Sequence, residues 1–301
     1  MREGVTRTRI PETEWRLLLD GPAEGAWNMA VDEAVARAVG DGVVPVTLRL
    51  YAWSAPTVSL GYLQKTPGGV DLTACRARGI PVVRRVTGGR AVLHAAELTY
   101  SVAVPLEGTW RSLSVEETFT LFCRGLIAGL ARLGVSGELG ESGSRRPGSG
   151  KAGARSAGTR KTGTRQAGTR QAGTRETGAC FLLPEMPAVL VGGRKLVGSA
   201  QRRWERCLLQ HGSILLDFDP HLHQAVFPAW SRTHPTAAIT CLHSVLGHLP
   251  TIGELRSALV AGWEEVFGRP CVAGDLDPDE VRAATNLADV RYRSAGWTFQ
   301  R

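Results

Sequence analysis

The chain has 301 residues, 43% hydrophobic and 21% charged, enough apolar sequence to fill the core of one large domain or two small ones. Its formal charge of +8 sits in one place: residues 142–178 hold nine Lys/Arg against one Glu, so the remainder is neutral on balance, which speaks against a globally basic nucleic-acid fold. MREGVTRTRIPETEW has no apolar stretch behind its charges and no run of about 18 apolar residues occurs anywhere, so neither signal peptide nor membrane span is expected and the location reads as cytoplasmic.

The first predicted element is an amphipathic helix over 26–39, where Trp27, Ala30, Val31, Ala34, Val35 and Ala38 keep helical spacing and Gly40 marks the stop. VPVTLRLYAW and PTVSLGY then read as strands separated by a turn at residues 54–56. A short helix around 71–78 precedes a second strand pair, IPVVRRV and RAVLHAAELTYSVAVP, joined by the turn Thr87-Gly88-Gly89. Ser114 with Glu117 forms a capping-box signature ahead of Phe119, Phe122, Leu126, Leu130 and Leu133.

Residues 156–180 fall into the pentads SAGTR KTGTR QAGTR QAGTR ETGAC, too short for a solenoid unit and too poor in apolar residues to fold alone. The expected organisation is therefore one catalytic domain made of 1–141 and 179–301, interrupted by a disordered basic insert at 142–178. Beyond it, a strand around 187–191, a Gly192-Gly193 hairpin and strands at 194–203 and 207–216 are followed by a helix over 252–267. Strands clustered in hairpins with helices outside them predict an α+β fold, with mixed, largely antiparallel sheets flanked by helices.

Three constellations can carry chemistry. In RRVTGGRAVLH, two glycines at a turn let backbone approach a ligand beside Arg84, Arg85 and Arg90, although flanked GG turns are commonly only turns. In GRKLVGSAQRR, Lys195 with the backbone of Gly198 and Ser199 could converge on a carbonyl oxygen, although strand lysines are commonly just solvated. Cys180 stands where the pentads give way to Phe181-Leu182-Leu183, a place for a reachable thiol edged by apolar groups or for a buried structural cysteine. The six cysteines (75, 123, 180, 207, 241 and 271) include no C-x-x-C pair, as suits reduced thiols.

Together with EWRLLLDGPAEGAWNMAVDEA, PTVSLGYLQ, LLQHGSILLD and RYRSAGW, these motifs closely resemble the lipoate and biotin protein ligase superfamily, specifically its LipM-type octanoyltransferase branch, over most of the chain outside the insert. The resemblance implies an acylated cysteine at Cys180 served by Lys195, and acyl-binding strands at residues 85–94 and 195–201. It also implies transfer from octanoyl-acyl carrier protein to a lysine on the lipoyl domain of the glycine cleavage H protein, with no cofactor. Substrate-binding candidates are Arg84, Arg85, Gly88, Gly89, His94, Gly198 and Ser199, with Arg84 and Arg85 also available to steer the acidic carrier. His94 and His211 either line the slot or are satisfied structural histidines. His221 and His223 form an H-x-H pair without further ligands in a recognisable spacing, so no metal is expected.

Three rivals remain. An ATP-dependent lipoate ligase on the same fold needs no nucleophilic thiol, an amidotransferase would move acyl groups between carrier domains, and a binding module would grip nucleic acid through the basic insert.

Overall fold

The computed structural model describes residues 14–140, 188–229 and 238–301. In chain order these form β1 (Trp15–Ala23), α1 (Gly25–Gly40), β2 (Thr47–Trp53), β3 (Thr57–Leu60), α2 (Leu72–Ala77), β4 (Val82–Arg84), β5 (Val92–His94), β6 (Glu97–Pro105), α3 (Gly108–Ser112), α4 (Val115–Ala131) and β7 (Glu138–Gly140). They continue with β8 (Ala188–Val191), β9 (Arg194–Arg203), β10 (Cys207–Leu215), α5 (Pro220–Val226), α6 (Leu242–Leu246), α7 (Ile252–Phe267), β11 (Cys271–Ala273), α8 (Pro278–Leu287) and α9 (Ala295–Thr298).

Eight strands make one sheet in the order β11-β1-β2-β6-β10-β9-β8-β7, and three make a second in the order β4-β3-β5. Among the described strands pairing is antiparallel except at β11–β1, β1–β2 and β3–β4, so the α+β class with mixed, largely antiparallel sheets holds. One face of the large sheet sends Leu48, Leu50, Leu98, Val102, Leu208 and Ile214 against α4 and α7; alternate residues on the other face pack under α1. Both faces being covered leaves β6 buried up to its last residue and β10 along its whole length, polar side chains included.

The predicted helices sit where expected. α4 carries the complete capping box of Ser114 and Glu117, α7 a second one of Thr251 and Glu254, and Gly268 ends α7 in the left-handed region. Strand pairing departs from expectation. The turn at 54–56 joins no hairpin: β2 stays in the large sheet while β3 leaves for the small one. The strands around Gly88-Gly89 are likewise no hairpin, because β4 and β5 flank β3 on opposite sides, and RAVLHAAELTYSVAVP divides at Ala95-Ala96 between the two sheets. Such choices depend on which distant strand has a free edge, which local alternation does not encode. The 142–178 insert lies outside the described residues. Among the described residues no helix is long and apolar enough to cross a membrane.

α4 and α7 cross through a glycine contact. A Cβ on Gly262 would lie 2.0 Å from the Gly129 nitrogen, and one on Gly129 would lie 2.6 Å from the Leu259 Cα, so backbone meets backbone with no flexible side chain to give way. Gly262→Ala is expected to lose about 1–3 kcal/mol, read as a lowered denaturation midpoint, with Gly253→Ala on the open side of the same helix as the control that loses nothing.

Candidate active site

Between the two sheets lies a narrow slot, part of it open to solvent. Met29 of α1, Tyr51 and Trp53 of β2, Val92 and His94 of β5, residues 198–200 of β9 and residues 211–213 of β10 line it, with Ser59, Arg85 and Thr99. The small sheet is its lid because β5 ends at His94 and β6 begins at Glu97, a two-residue step that hands the chain from one sheet to the other.

His94 is built into the wall. Its ring stacks on Trp53 with centroids 3.9 Å apart and planes 10° from parallel, Nδ1 meets Glu97 Oε1 at 2.8 Å, and Nε2 meets Ser59 Oγ at 2.8 Å. The same Glu97 oxygen accepts from Thr99 and Ser213 at 2.7 Å each, and Thr99 accepts from the Trp53 indole at 2.8 Å. His211 repeats the plan, with Nδ1 on Asp32 Oδ2 at 2.9 Å and Nε2 on Thr87 Oγ1 at 2.7 Å. Asp32 also accepts from Arg49, Ser101 and Tyr51 at 2.8, 2.8 and 2.9 Å. Asp32, Glu97 and Arg49 are all buried, and an internal charge survives only when several donors or a counter-charge surround it.

Arg84 and Arg85 correct the expectation that they would present charge to a partner. Arg84 is fully buried and donates to the carbonyls of Gly61, Gln64 and Thr298 at 2.6, 2.7 and 2.9 Å, away from the slot. Arg85 does touch the slot but is 3% exposed: Nη1 donates to Ser59 O and Oγ, Nε to Thr87 Oγ1, and Nη2 to the carbonyls of Gly88 and Arg90. Gly88 and Gly89 stand one step behind the wall. Gly89 adopts φ +87°, and its carbonyl would be 1.9 Å from a Cβ on Gly61, so this turn needs a glycine on each side.

Lys195 and Gly198 share a face through an irregularity. Val189 pairs with Val197 while Leu190 pairs with Lys195, which leaves Leu196 as an extra residue in β9. Leu196 and Val197 both enter the core under α4, so backbone alternation puts Lys195 and Gly198 on the opposite face of β9, where Gly198 lines the slot and Lys195 is not among the lining residues. The Lys195 backbone is gripped besides by residues 238–240, donating to the Ala238 carbonyl at 2.8 Å and accepting from the Thr240 amide at 3.0 Å. The Ser199 hydroxyl faces the other way, 2.7 Å from the Tyr100 hydroxyl. Cys180 lies outside the described residues; the other five cysteines are free, and four of them are buried. His221 and His223 sit at α5, where the His223 ring lies tilted against Phe218 with centroids 4.4 Å apart, and among the described residues no group of three His, Cys, Asp or Glu could hold a metal.

Asp32, Arg49, Ser59, Glu97 and Ser213 were not singled out from the sequence as parts of the site. The available signal was their type: a carboxylate inside the apolar stripe of α1 and charged residues inside strands otherwise buried on both faces require partners.

A slot at the junction of two sheets, walled by the stacked Trp53 and His94 rings and by polar groups paired within the protein except for Glu97 Oε2, defines an α+β domain with a candidate active site. The sequence profile of the lipoyl protein ligase A/B catalytic domain matches residues 24–264. The chain is 39% identical to the octanoyltransferase LipM of Symbiobacterium thermophilum, covering 96% of this chain and 100% of the relative, and 38% identical to that of Kyrpidia tusciae, covering 95% and 99%. Among solved structures it resembles a lipoate-protein ligase A bound with ATP (TM-score 0.72, 22% identity, 95% and 98% covered). It also resembles a bi-partite lipoate protein ligase of Thermoplasma acidophilum (TM-score 0.71, 22% identity, 95% and 96% covered). At that identity the two structures speak to the fold alone. The chain belongs to the lipoyl protein ligase A/B catalytic domain family, and it is an acyltransferase.

The wall has a pH signature. Burial works to raise the Asp32 pKa, but the His211 hydrogen bond, the Arg49 guanidinium and Ser101 outweigh it and hold the carboxyl below its ordinary value. Glu97 is likewise lowered, burial being outweighed by His94, Thr99 and Ser213. Burial pushes His211 down, and Asp32 restores only part of the loss. All three groups bind protons less readily in the folded than in the unfolded chain, so their contribution is complete above about pH 6.5 and is lost on acidification, first through His211 and then, below about pH 4.5, through the carboxylates. The melting temperature is expected to fall between pH 7 and pH 4 in stepwise thermal denaturation; a flat profile would contradict this assignment.

Proposed function

We propose that this protein transfers an octanoyl group from octanoyl-acyl carrier protein to a lysine on the lipoyl domain of the glycine cleavage H protein, through a thioester on Cys180, in the cytoplasm. One observation carries the reading: the histidines, hydroxyls and arginine of the slot are hydrogen-bonded within the protein, leaving mostly carbon to meet a saturated chain. About six buried methylenes at about 0.8 kcal/mol each would contribute roughly 5 kcal/mol of binding. The near-full-length likeness to proteins named octanoyltransferase supports the same acyl group.

In the first half-reaction the Cys180 thiolate attacks the thioester carbonyl of the donor, and the carrier's thiolate leaves. In the second, the lysine amine attacks the Cys180 thioester, forming the amide as the Cys180 thiolate departs and the amine's proton passes to it or to a neutral Lys195. A thiol of pKa about 8.5 is roughly 10% ionised at pH 7.5, and a neighbouring ammonium that lowered it to about 7 would raise this to about 75%, a gain under tenfold. Most of the acceleration must come from positioning and from donors to the tetrahedral oxyanion. Lys195 is a candidate for this because the extra residue in β9 supports its sharing a strand face with Gly198, which lines the slot.

Incubation with octanoyl-acyl carrier protein followed by intact mass spectrometry tests the reading. A thiol-sensitive octanoyl adduct is expected on the wild type and absent from Cys180→Ala; ATP-dependent lipoylation persisting in that variant would instead mark a ligase. Lys195→Ala is expected to cut transfer by about a hundredfold or more in a steady-state assay while the melting temperature holds, and near-normal turnover would remove it from the site.

A further inference from the structure

His94 and His211 reach the slot from different strands and different sheets, yet they are wired alike. Each Nδ1 lies on a buried carboxylate, Glu97 or Asp32, and each Nε2 lies on a hydroxyl, Ser59 or Thr87. Both hydroxyls also contact one guanidinium: Arg85 Nη1 donates to Ser59 Oγ at 3.0 Å and Arg85 Nε donates to Thr87 Oγ1 at 3.1 Å.

The hydrogen positions follow from these partners. An ionised carboxylate only accepts, so each Nδ1 carries a hydrogen, and in an uncharged imidazole with Nδ1–H the other nitrogen, Nε2, is an acceptor. A hydroxyl that receives a hydrogen bond from Arg85 has its own hydrogen left to give, and the nearest acceptor at 2.7–2.8 Å is that Nε2.

We propose that Arg85 is a positioning residue that sets both slot histidines at once: by aiming two hydroxyls it holds both rings as the Nδ1–H tautomer with all four ring nitrogens occupied, so that the acyl chain meets their carbon faces. This rests on the acyl-transfer reading above. A planar fork with donors on three nitrogens reaches both hydroxyls and three carbonyls, which the single ammonium of a lysine cannot do. The carbonyls belong to Ser59, Gly88 and Arg90, so the same group ties β3 and the GG turn to the histidines and sets the slot's width.

Long-range proton–nitrogen spectra of the histidine side chains test this without substrate. Ser59→Ala is expected to perturb His94 alone, Thr87→Val to perturb His211 alone, and Arg85→Lys to perturb both, with KM for an octanoyl donor raised about tenfold in Arg85→Lys and the preference for eight carbons over six or ten flattened. Unchanged tautomers in a folded Arg85→Lys protein would overturn the proposal, as would single-hydroxyl variants that leave their own histidine undisturbed should Arg85→Lys not fold. A wild type that transfers no octanoyl group would sink the functional reading, while the spectra would still decide the role of Arg85.

Discussion

A buried guanidinium is tolerable only when its N–H groups find acceptors, and the requirement at Arg85 shapes the whole slot. It is met by two hydroxyls and three carbonyls drawn from β3 and from the turn between β4 and β5, segments a local reading would not place together. Satisfying Arg85 closes the glycine turn onto Gly61 and orients Ser59 and Thr87. Those two then fix the histidines, one in each sheet, and the space between the sheets becomes a slot of set width. A charge that is costly to bury is thereby turned into the frame of the slot.

Helix α1 supplies the second constraint. Asp32 and Glu33 are consecutive and both buried, so they point to different partners: Asp32 into the sheet toward Arg49, Tyr51, Ser101 and His211, and Glu33 toward Arg37, Arg291 and Tyr292. Burial of such pairs contributes little net stability against an apolar alternative, but removing one partner leaves an uncompensated charge, commonly a loss of about 3–5 kcal/mol. The arrangement therefore favours a unique placement of α1 over a stronger core. Since Met29 lines the slot one turn before Asp32, fixing α1 fixes that wall as well.

The two halves of the proposed chemistry thus rest on different supports. The slot is held by hydrogen bonds within the sheets, whereas Lys195 is delivered by an extra residue in β9 and clasped by the 238–240 segment. A shift of β9 by one position would turn Lys195 toward the core under α4, so its sharing a strand face with Gly198 is a matter of register and not of propensity.

The sequence by itself determined the helices, the α+β class and the segments that matter, because capping boxes, apolar periodicity and glycine turns act over three or four residues and each carries its cause within reach. It pointed to Arg85, His94, Lys195, Gly198 and His211 by residue type and motif. Only the tertiary structure decided what those residues face. Arg84 and Arg85 look equivalent side by side, yet one supports a distant loop and the other the slot; β3 and β5 leave the strands beside them in sequence; Leu196 steps out of register and turns Lys195 about. Each of these is settled by which distant backbone or side-chain group is available to complete a hydrogen bond, and such partners, 179 residues apart for His211 and Asp32 and 214 for Arg84 and Thr298, have no signature in the local sequence.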